Sequence, residues 1–275
     1  MLKKQLIMEK ASELFAQQGF EATSIKQITD YCGISKGAFY LSFKSKDELI
    51  LTLIDHFMIQ IISDIDYIVK GVNEGENLLY QFYYTTFRTF QKHSDFAKIL
   101  IKEQSQTLNE ELIERIHSYN LLLENLILYM IDRIYGAEVK QTKYDLMYCI
   151  KSFLSVYSNL LLFKNAPLDL NQLSQSFVEK TTILAEYTTI SFLSKELVQM
   201  TRQPMHDKMT KEQIIELMEQ KIIEMEESIE KESLVLLKEH LREPNLSPAI
   251  VKGLIENIRN HPHCKWIAYL LRNNE

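Results

Sequence analysis

The sequence predicts an all-α protein: a three-helix N-terminal unit, a larger helical region and extra C-terminal helices. Three observations carry that prediction. Only 7 Gly and 5 Pro interrupt 275 residues rich in Leu, Ile, Glu, Lys and Gln. Apolar residues recur at the three- and four-residue spacing of a helix face, with no alternating strand pattern, repeat or low-complexity tract. Ser or Thr followed three residues later by Glu or Gln, a pattern that ties off a helix start, precedes several apolar runs.

Each element follows in order. Leu6, Ile7, Ala11, Leu14 and Phe15 place a first helix over 2–18, ended at Gly19. Ser24 with Gln27 starts a second, which stops at Cys32–Gly33, and Ser35 opens a third through about Ser42. Ser45 with Glu48 starts a long helix to about Val69. Breaks at Gly71–Gly75, His93–Asp95, Gln104–Thr107, Gly136–Thr142 and Asn165–Leu170 separate helices expected over 76–92, 95–103, 107–135, 143–164 and 170–200, with Thr107 and Glu110 another capping pair. Beyond a linker at Gln203–Pro204, helices are expected near 210–241, 248–260 and 263–272, with Ser247–Pro248 as cap and first-turn residue.

Composition excludes several functions. The formal net charge is −6, yet residues 1–50 carry seven Lys against six acids, so the remainder holds −7. That leaves at most a mildly basic N-terminal end on an acidic body. Cys32, Cys149 and Cys264 are far apart and odd in number, which fits a reducing, cytoplasmic setting better than a disulfide framework. The longest strongly apolar stretch, Ser152 to Phe163, has 12 residues, short of the roughly 20 a membrane helix needs. No nucleophile elbow and no Gly-rich phosphate loop is present, so an enzyme is not expected, nor is a cofactor. His261–Pro262–His263–Cys264 has soft-metal ligand types but lacks a fourth ligand nearby and contains a proline. It reads as a surface loop, and no metal site is expected.

Function is concentrated near the N-terminus. Two short helices joined by a tight Gly turn, behind a support helix, form a helix-turn-helix, whose last helix meets base edges in the DNA major groove. Ile25, Ile28, Ile34 and Phe39 pack the pair, while Ser35, Lys36, Gly37, Ala38 and Tyr40 face the groove. Small residues at 35, 37 and 38 permit close backbone approach. From Ile7–Met8–Glu9–Lys10–Ala11 through Gly19–Phe20, Thr23–Ser24 and Cys32–Gly33–Ile34–Ser35–Lys36–Gly37–Ala38–Phe39–Tyr40 to Phe43–Lys44–Ser45–Lys46–Asp47–Glu48–Leu49, residues 7–50 resemble the TetR family of one-component repressors. Cys32 stands in place of a small alanine, and Leu41–Ser42 in place of an aromatic residue and often a histidine.

The resemblance implies a homodimer on double-stranded operator DNA, released by a small-molecule effector. It assigns residues 1–46 to DNA binding, 47–202 to effector binding and dimerisation, and 203–275 to a helical extension. It places Thr23 and Ser24 at phosphates, Lys36, Gly37, Ala38 and Tyr40 at bases or nearby backbone, and Lys44 and Lys46 at phosphates. Helix 143–164 is apolar nearly all round and 170–200 has a long apolar face, which fits a four-helix dimer interface. Phe57, Tyr83, Phe87, Tyr119, Asn120, Glu124 and Tyr148 are the expected effector residues: an apolar, aromatic lining with two polar groups. Such a set suits an organic cation, or equally a fatty acyl or flat apolar molecule. The tail's stripe of Ile214, Met218, Ile222, Met225 and Ile229 needs a cover, expected on the dimer body. The rival reading is a ligand-insensitive architectural or division-linked DNA-binding protein on the same fold.

Overall fold

The computed structural model describes residues 2–71, 76–103, 110–163, 169–201, 209–259, 261 and 264–273. Thr107, the Gln203–Pro204 linker, Pro262 and His263 lie outside them. The described residues form helices and no strands, in two compact units, 1–204 and 205–275.

The first unit begins with α1 (Leu2–Gln18), α2 (Ile25–Cys32) and α3 (Lys36–Tyr40). Phe15, Ile28, Phe39 and Phe43 are essentially unexposed at their centre, while Ile25 and Ile34 are half-buried. The body follows as α4 (Lys46–Lys70), α5 (Glu76–Lys92), α6 (Ser94–Glu103), α7 (Glu110–Tyr135), a 3-10 turn (Gly136–Val139), α8 (Lys143–Phe163), α9 (Leu170–Tyr187) and α10 (Lys195–Thr201). α4 runs from the three-helix head into the body, where it packs on α5 and α7. Its buried ridge, Leu49, Leu53, Phe57, Ile61 and Ile65, repeats every four residues and so stays on one face. At its far end Arg133 donates to the carbonyls of Val69 and Gly71, at 2.6 and 2.9 Å, closing acceptors a helix leaves open. Phe177 of α9 is the hub of the body core, with the rings of Tyr83, Phe87, Phe153 and Tyr157 at centroid distances of 4.6–5.6 Å.

The helix expected over 170–200 is broken. After Tyr187 the chain runs extended through residues 188–194 before α10. Thr188, Thr189 and Ile190 are β-branched and favour extended backbone. The Asp145 carboxylate then accepts the N–H groups of Phe192 and Leu193 at 3.2 Å, which holds the strap against the start of α8. Ile190, Leu193 and Leu197 therefore do not continue the face of Leu173 and Phe177.

The second unit contains α11 (Lys211–Glu224), α12 (Ile229–Arg242), α13 (Pro248–Arg259) and α14 (Lys265–Arg272). Here too a single expected helix, 210–241, is two. Ser228 caps the second by accepting the N–H of Lys231, and Met225 leaves helical geometry with its side chain in the core. Ile214, Met218 and Met225 of the stripe are buried among Leu234, Leu237, Ile258, Ile267 and Leu271 of the same unit. The cover for that stripe, sought outside the tail, comes from the tail's own helices. Ile229, placed on the stripe by spacing, is exposed, because the break at 225–228 resets the register. Cys264 is fully buried, so the surface-loop reading does not hold for that residue.

Candidate nucleic-acid interface

The geometry of the head follows from its caps. Ser24 accepts the N–H of Gln27, whose side-chain oxygen in turn accepts the Ser24 N–H at 2.8 Å, so the capping box closes. Gly33 ends α2 in the left-handed region (φ +65°), with its N–H returned to Asp30, and this turn aims α3. Ser35 caps α3 through the N–H of Ala38. Ser45 caps α4 through the N–H of Glu48, but the Glu48 carboxylate accepts the N–H of Lys44, at 2.5 Å, rather than completing the expected box. The phenol of Tyr31 donates to Glu13 at 2.6 Å, and Lys10 pairs with the same carboxylate, which clamps α1 to α2.

Ser24, Ser35, Lys36, Gly37, Tyr40 and Lys44 are exposed and Ala38 is half-buried. Tyr40 is 53% exposed, edge-on to the buried Phe39, so its ring is not needed for the core. A Cβ added to Gly37 meets only Ser35 Oγ, at 3.8 Å, an ordinary contact. Packing inside the chain therefore does not require glycine there.

Two expected contacts need correction. Thr23 is 0% exposed, its hydroxyl donating to the Gly19 carbonyl at 2.7 Å and accepting from Gln18 at 3.0 Å. It therefore sets the turn before α2 instead of reaching phosphate. Lys46 is half-buried, donating to the Phe20 carbonyl at 2.9 Å with its ammonium 4.2 Å from the Phe20 ring centroid. Its first task is to tie α4 to the end of α1. Two further side chains lie nearby, one noted in the sequence only as a departure from the family pattern and one not noted at all. Leu41, 91% exposed at the end of α3, presents an apolar surface next to Tyr40. Lys4 lies 5.2 Å from the Phe43 ring centroid and adds positive charge beside the α3–α4 connection. The signal for Leu41 was its departure from the family pattern; nothing in local sequence pointed to Lys4.

Residues 7–53 match the model of the bacterial regulatory proteins of the tetR family. Two relatives from Bacillus subtilis (strain 168), YerO and YuxN, each described as an uncharacterized HTH-type transcriptional regulator, are 28% and 26% identical to this chain. Each match takes in 93% of this chain, and 89% and 91% of the respective relative. The crystal structure of the transcriptional regulator FadR from Bacillus subtilis in complex with stearoyl-CoA superposes with a TM-score of 0.56 at 19% identity, over 64% of this chain and 96% of that one.

The chain is similar to TetR-family transcriptional regulators, most specifically over its helix-turn-helix.

The second unit falls largely within the YerO and YuxN matches, since those omit 7% of 275 residues, about 19, against the 71 residues of that unit.

In the body the expected effector residues sit in different surroundings. Phe57, Tyr83 and Phe87 are fully buried, with Phe57 against Phe90 and the other two against Phe177. The Tyr83 hydroxyl shares a 2.6 Å hydrogen bond with Thr181, and burial pushes its ionisation well above the usual range. Tyr119 donates to Asp55 at 2.9 Å, and Arg115 lies 3.1 Å from the same carboxylate, so α4 and α7 are joined by a polar link. Burial raises the Asp55 carboxyl despite the opposing effects of Arg115 and Tyr119. Asn120 is half-buried on α7. Glu124 is buried and paired with Lys151, so its charge is already neutralised. That pairing removes the reason to expect an organic cation. Tyr148 belongs to the outer side of α8, with the Lys151 ammonium 5.2 Å from its ring centroid. An open depression lined by Lys140, Tyr144, Ser191 and Lys195 lies by the 188–194 strap, away from these rings.

Proposed function

We propose that this regulator is a homodimeric repressor, bound to a pseudo-palindromic operator and released by a small apolar or aromatic effector. One observation carries the dimer: the outer face of α8. Met147, Ile150 and Leu154 are buried on its inner side, while Tyr148, Ser152, Ser155, Val156, Asn159 and Leu160 are exposed on the other. The exposed side chains of that face are all uncharged, the half-buried Lys151 beside Tyr148 being paired with Glu124, and the adjoining α9 adds exposed Ile183 and Tyr187. A helix face that meets only water is normally charged or polar, and one that meets a partner is not.

On DNA, Ser24 and Ser35 would stand at phosphates with Lys44, and Lys36, Gly37, Ala38 and Tyr40 at bases or the adjacent backbone, as the two helix starts and the exposed residues favour. Leu41 adds an apolar surface suited to a thymine methyl group. An uncharged or acyl effector fits the body better than a cation, given the Glu124–Lys151 pair and the apolar rings of Phe57, Tyr83 and Phe87. FadR, with its bound stearoyl-CoA, is a precedent for an acyl ligand on this fold.

Footprinting with the mass of the bound species tests the dimer: two half-sites related by two-fold symmetry are expected, and a monomer on one asymmetric half-site would refute it. For release, linkage requires that operator DNA weaken effector binding by the same factor by which effector weakens DNA binding. Effector affinity that is equal with and without operator excludes that mechanism and leaves the architectural reading.

A further inference from the structure

The second unit gathers three soft donors from two stretches of chain. Met225, at the end of α11, is 7% exposed, and Cys264, at the start of α14, is 0% exposed. The Met225 Sδ lies 3.6 Å from the Cys264 Sγ, and the His261 Nδ1 lies 3.4 Å from that same sulfur. The backbone fixes the pair, since the N–H of His261 donates to the Ile258 carbonyl at 3.2 Å and that of Cys264 to the His261 carbonyl at 3.0 Å.

We infer that Cys264, Met225 and His261 form a binding site for a soft monovalent cation, Cu(I) or Ag(I). The donor spacing fits one ion. At bond lengths like those of zinc, about 2.3 Å to sulfur and 2.0–2.1 Å to nitrogen, and at near-tetrahedral angles, two sulfurs stand about 3.8 Å apart and a sulfur and nitrogen about 3.6 Å apart. The observed separations need only a few tenths of an ångström of adjustment.

Ligand chemistry and charge select the ion. Thiolate and thioether donors favour Cu(I), whereas zinc takes Cys, His and carboxylate ligands. Among the described residues no three His, Cys, Asp or Glu side chains gather, so a zinc set is not offered there. One thiolate with one monovalent cation is a neutral pair, which a buried core accepts. A divalent ion on the same thiolate leaves one uncompensated charge, which is costly to bury. As the S–metal bond forms, the thiol proton passes to solvent. The ion enters and stays monovalent, so no oxidant or reductant takes part. The half-buried His261 is the donor nearest solvent and the point of entry.

The test uses the full chain carrying Cys32→Ser and Cys149→Ser, so that Cys264 is its last thiol. Cu(I) is supplied anaerobically as its bicinchoninate complex, and Ag(I) is added in a parallel thermal melt. One equivalent of Cu(I) withdrawn per chain, one proton released per ion, and a melt raised by Ag(I) are expected. Met225→Leu keeps the volume and hence the fold, so its metal-free melt is unchanged. Met225→Leu and His261→Gln should each weaken Cu(I) binding by at least about tenfold, the scale on which a metal site responds to disturbance of its ligand set. Absence of withdrawal overturns the assignment. So does parental affinity in both Met225→Leu and His261→Gln, which reduces the site to a lone thiol in a packed core, and so does undiminished binding in Cys264→Ser.

Discussion

The three-helix head and the second unit are both small helical assemblies with closed apolar cores, yet their surfaces differ in kind. In the head the caps, the Gly33 turn and the exposed Lys36, Gly37 and Tyr40 follow the spacing of a helix-turn-helix motif. In the second unit the ordered positions, Ile214, Met218, Leu234, Leu237 and Ile258, all point inward. A sequence motif records demands made by a partner, whereas periodicity alone records demands made by a core. This is why the nine- and seven-residue stretches Cys32–Tyr40 and Phe43–Leu49 of the head announce a function while 71 residues of the tail announce only a fold.

The largest expected effects test whether the two cores are independent. Phe39→Ala empties a fully buried position behind the recognition surface, at a cost of about 3–5 kcal/mol. Operator binding should be lost while the melting of the second unit is unchanged by calorimetry. The counterpart is Leu234→Ala, with an expected local cost of about 2–5 kcal/mol. It should unfold the second unit and leave operator affinity within twofold of the parent. A single melt that shifts as one for both variants breaks the comparison.

A glycine pair sharpens it within the head. Gly33→Ala forces a side chain into left-handed backbone, and should destabilise the head by about 1–2 kcal/mol although open space surrounds it. Gly37→Ala should do the reverse. The helix gains about 0.5–1 kcal/mol, while operator affinity falls because the new methyl stands between backbone and DNA. Unchanged affinity in Gly37→Ala would remove the argument that this surface is shaped for close approach.

The smallest effects concern charge. Lys44→Ala should lower the slope of log affinity against log salt by about one per subunit contact. Lys46→Ala should chiefly lower the melting temperature, since the ammonium is held by the Phe20 carbonyl. Equal slopes for Lys44→Ala and the parent would take Lys44 off the phosphates.

Much of this was legible in the chain and some was not, for identifiable reasons. Helix starts with a Ser or Thr cap were readable at Ser24, Ser35 and Ser45 because the cap bond is made within four residues. The breaks at 188–194 and 225–228 were not, because no Gly or Pro marks them. The first is held by Asp145, more than 40 residues away, and the second by the burial of Met225. Thr23 and Lys46 were placed at DNA by position in a motif, but their side chains are held by Gly19, Gln18 and Phe20. The aromatic residues of the body were recognisable as a set, but which of them face each other and which face out depended on helix rotation.

By itself the sequence determined the all-α class, the helix-turn-helix at 24–43 and the resemblance to the TetR family, since each is written in local spacing and in side-chain types a few residues apart. Only the tertiary structure decided that Glu124 is matched by Lys151, that Asp55 joins α4 to α7, that the tail covers its own apolar stripe, and that Met225 meets Cys264. Those contacts join residues separated by 27 to 64 positions or by a helix break, and such pairings are set by how whole helices pack. The energy that selects them is the burial of many apolar side chains at once, which leaves no local signature at the residues it brings together.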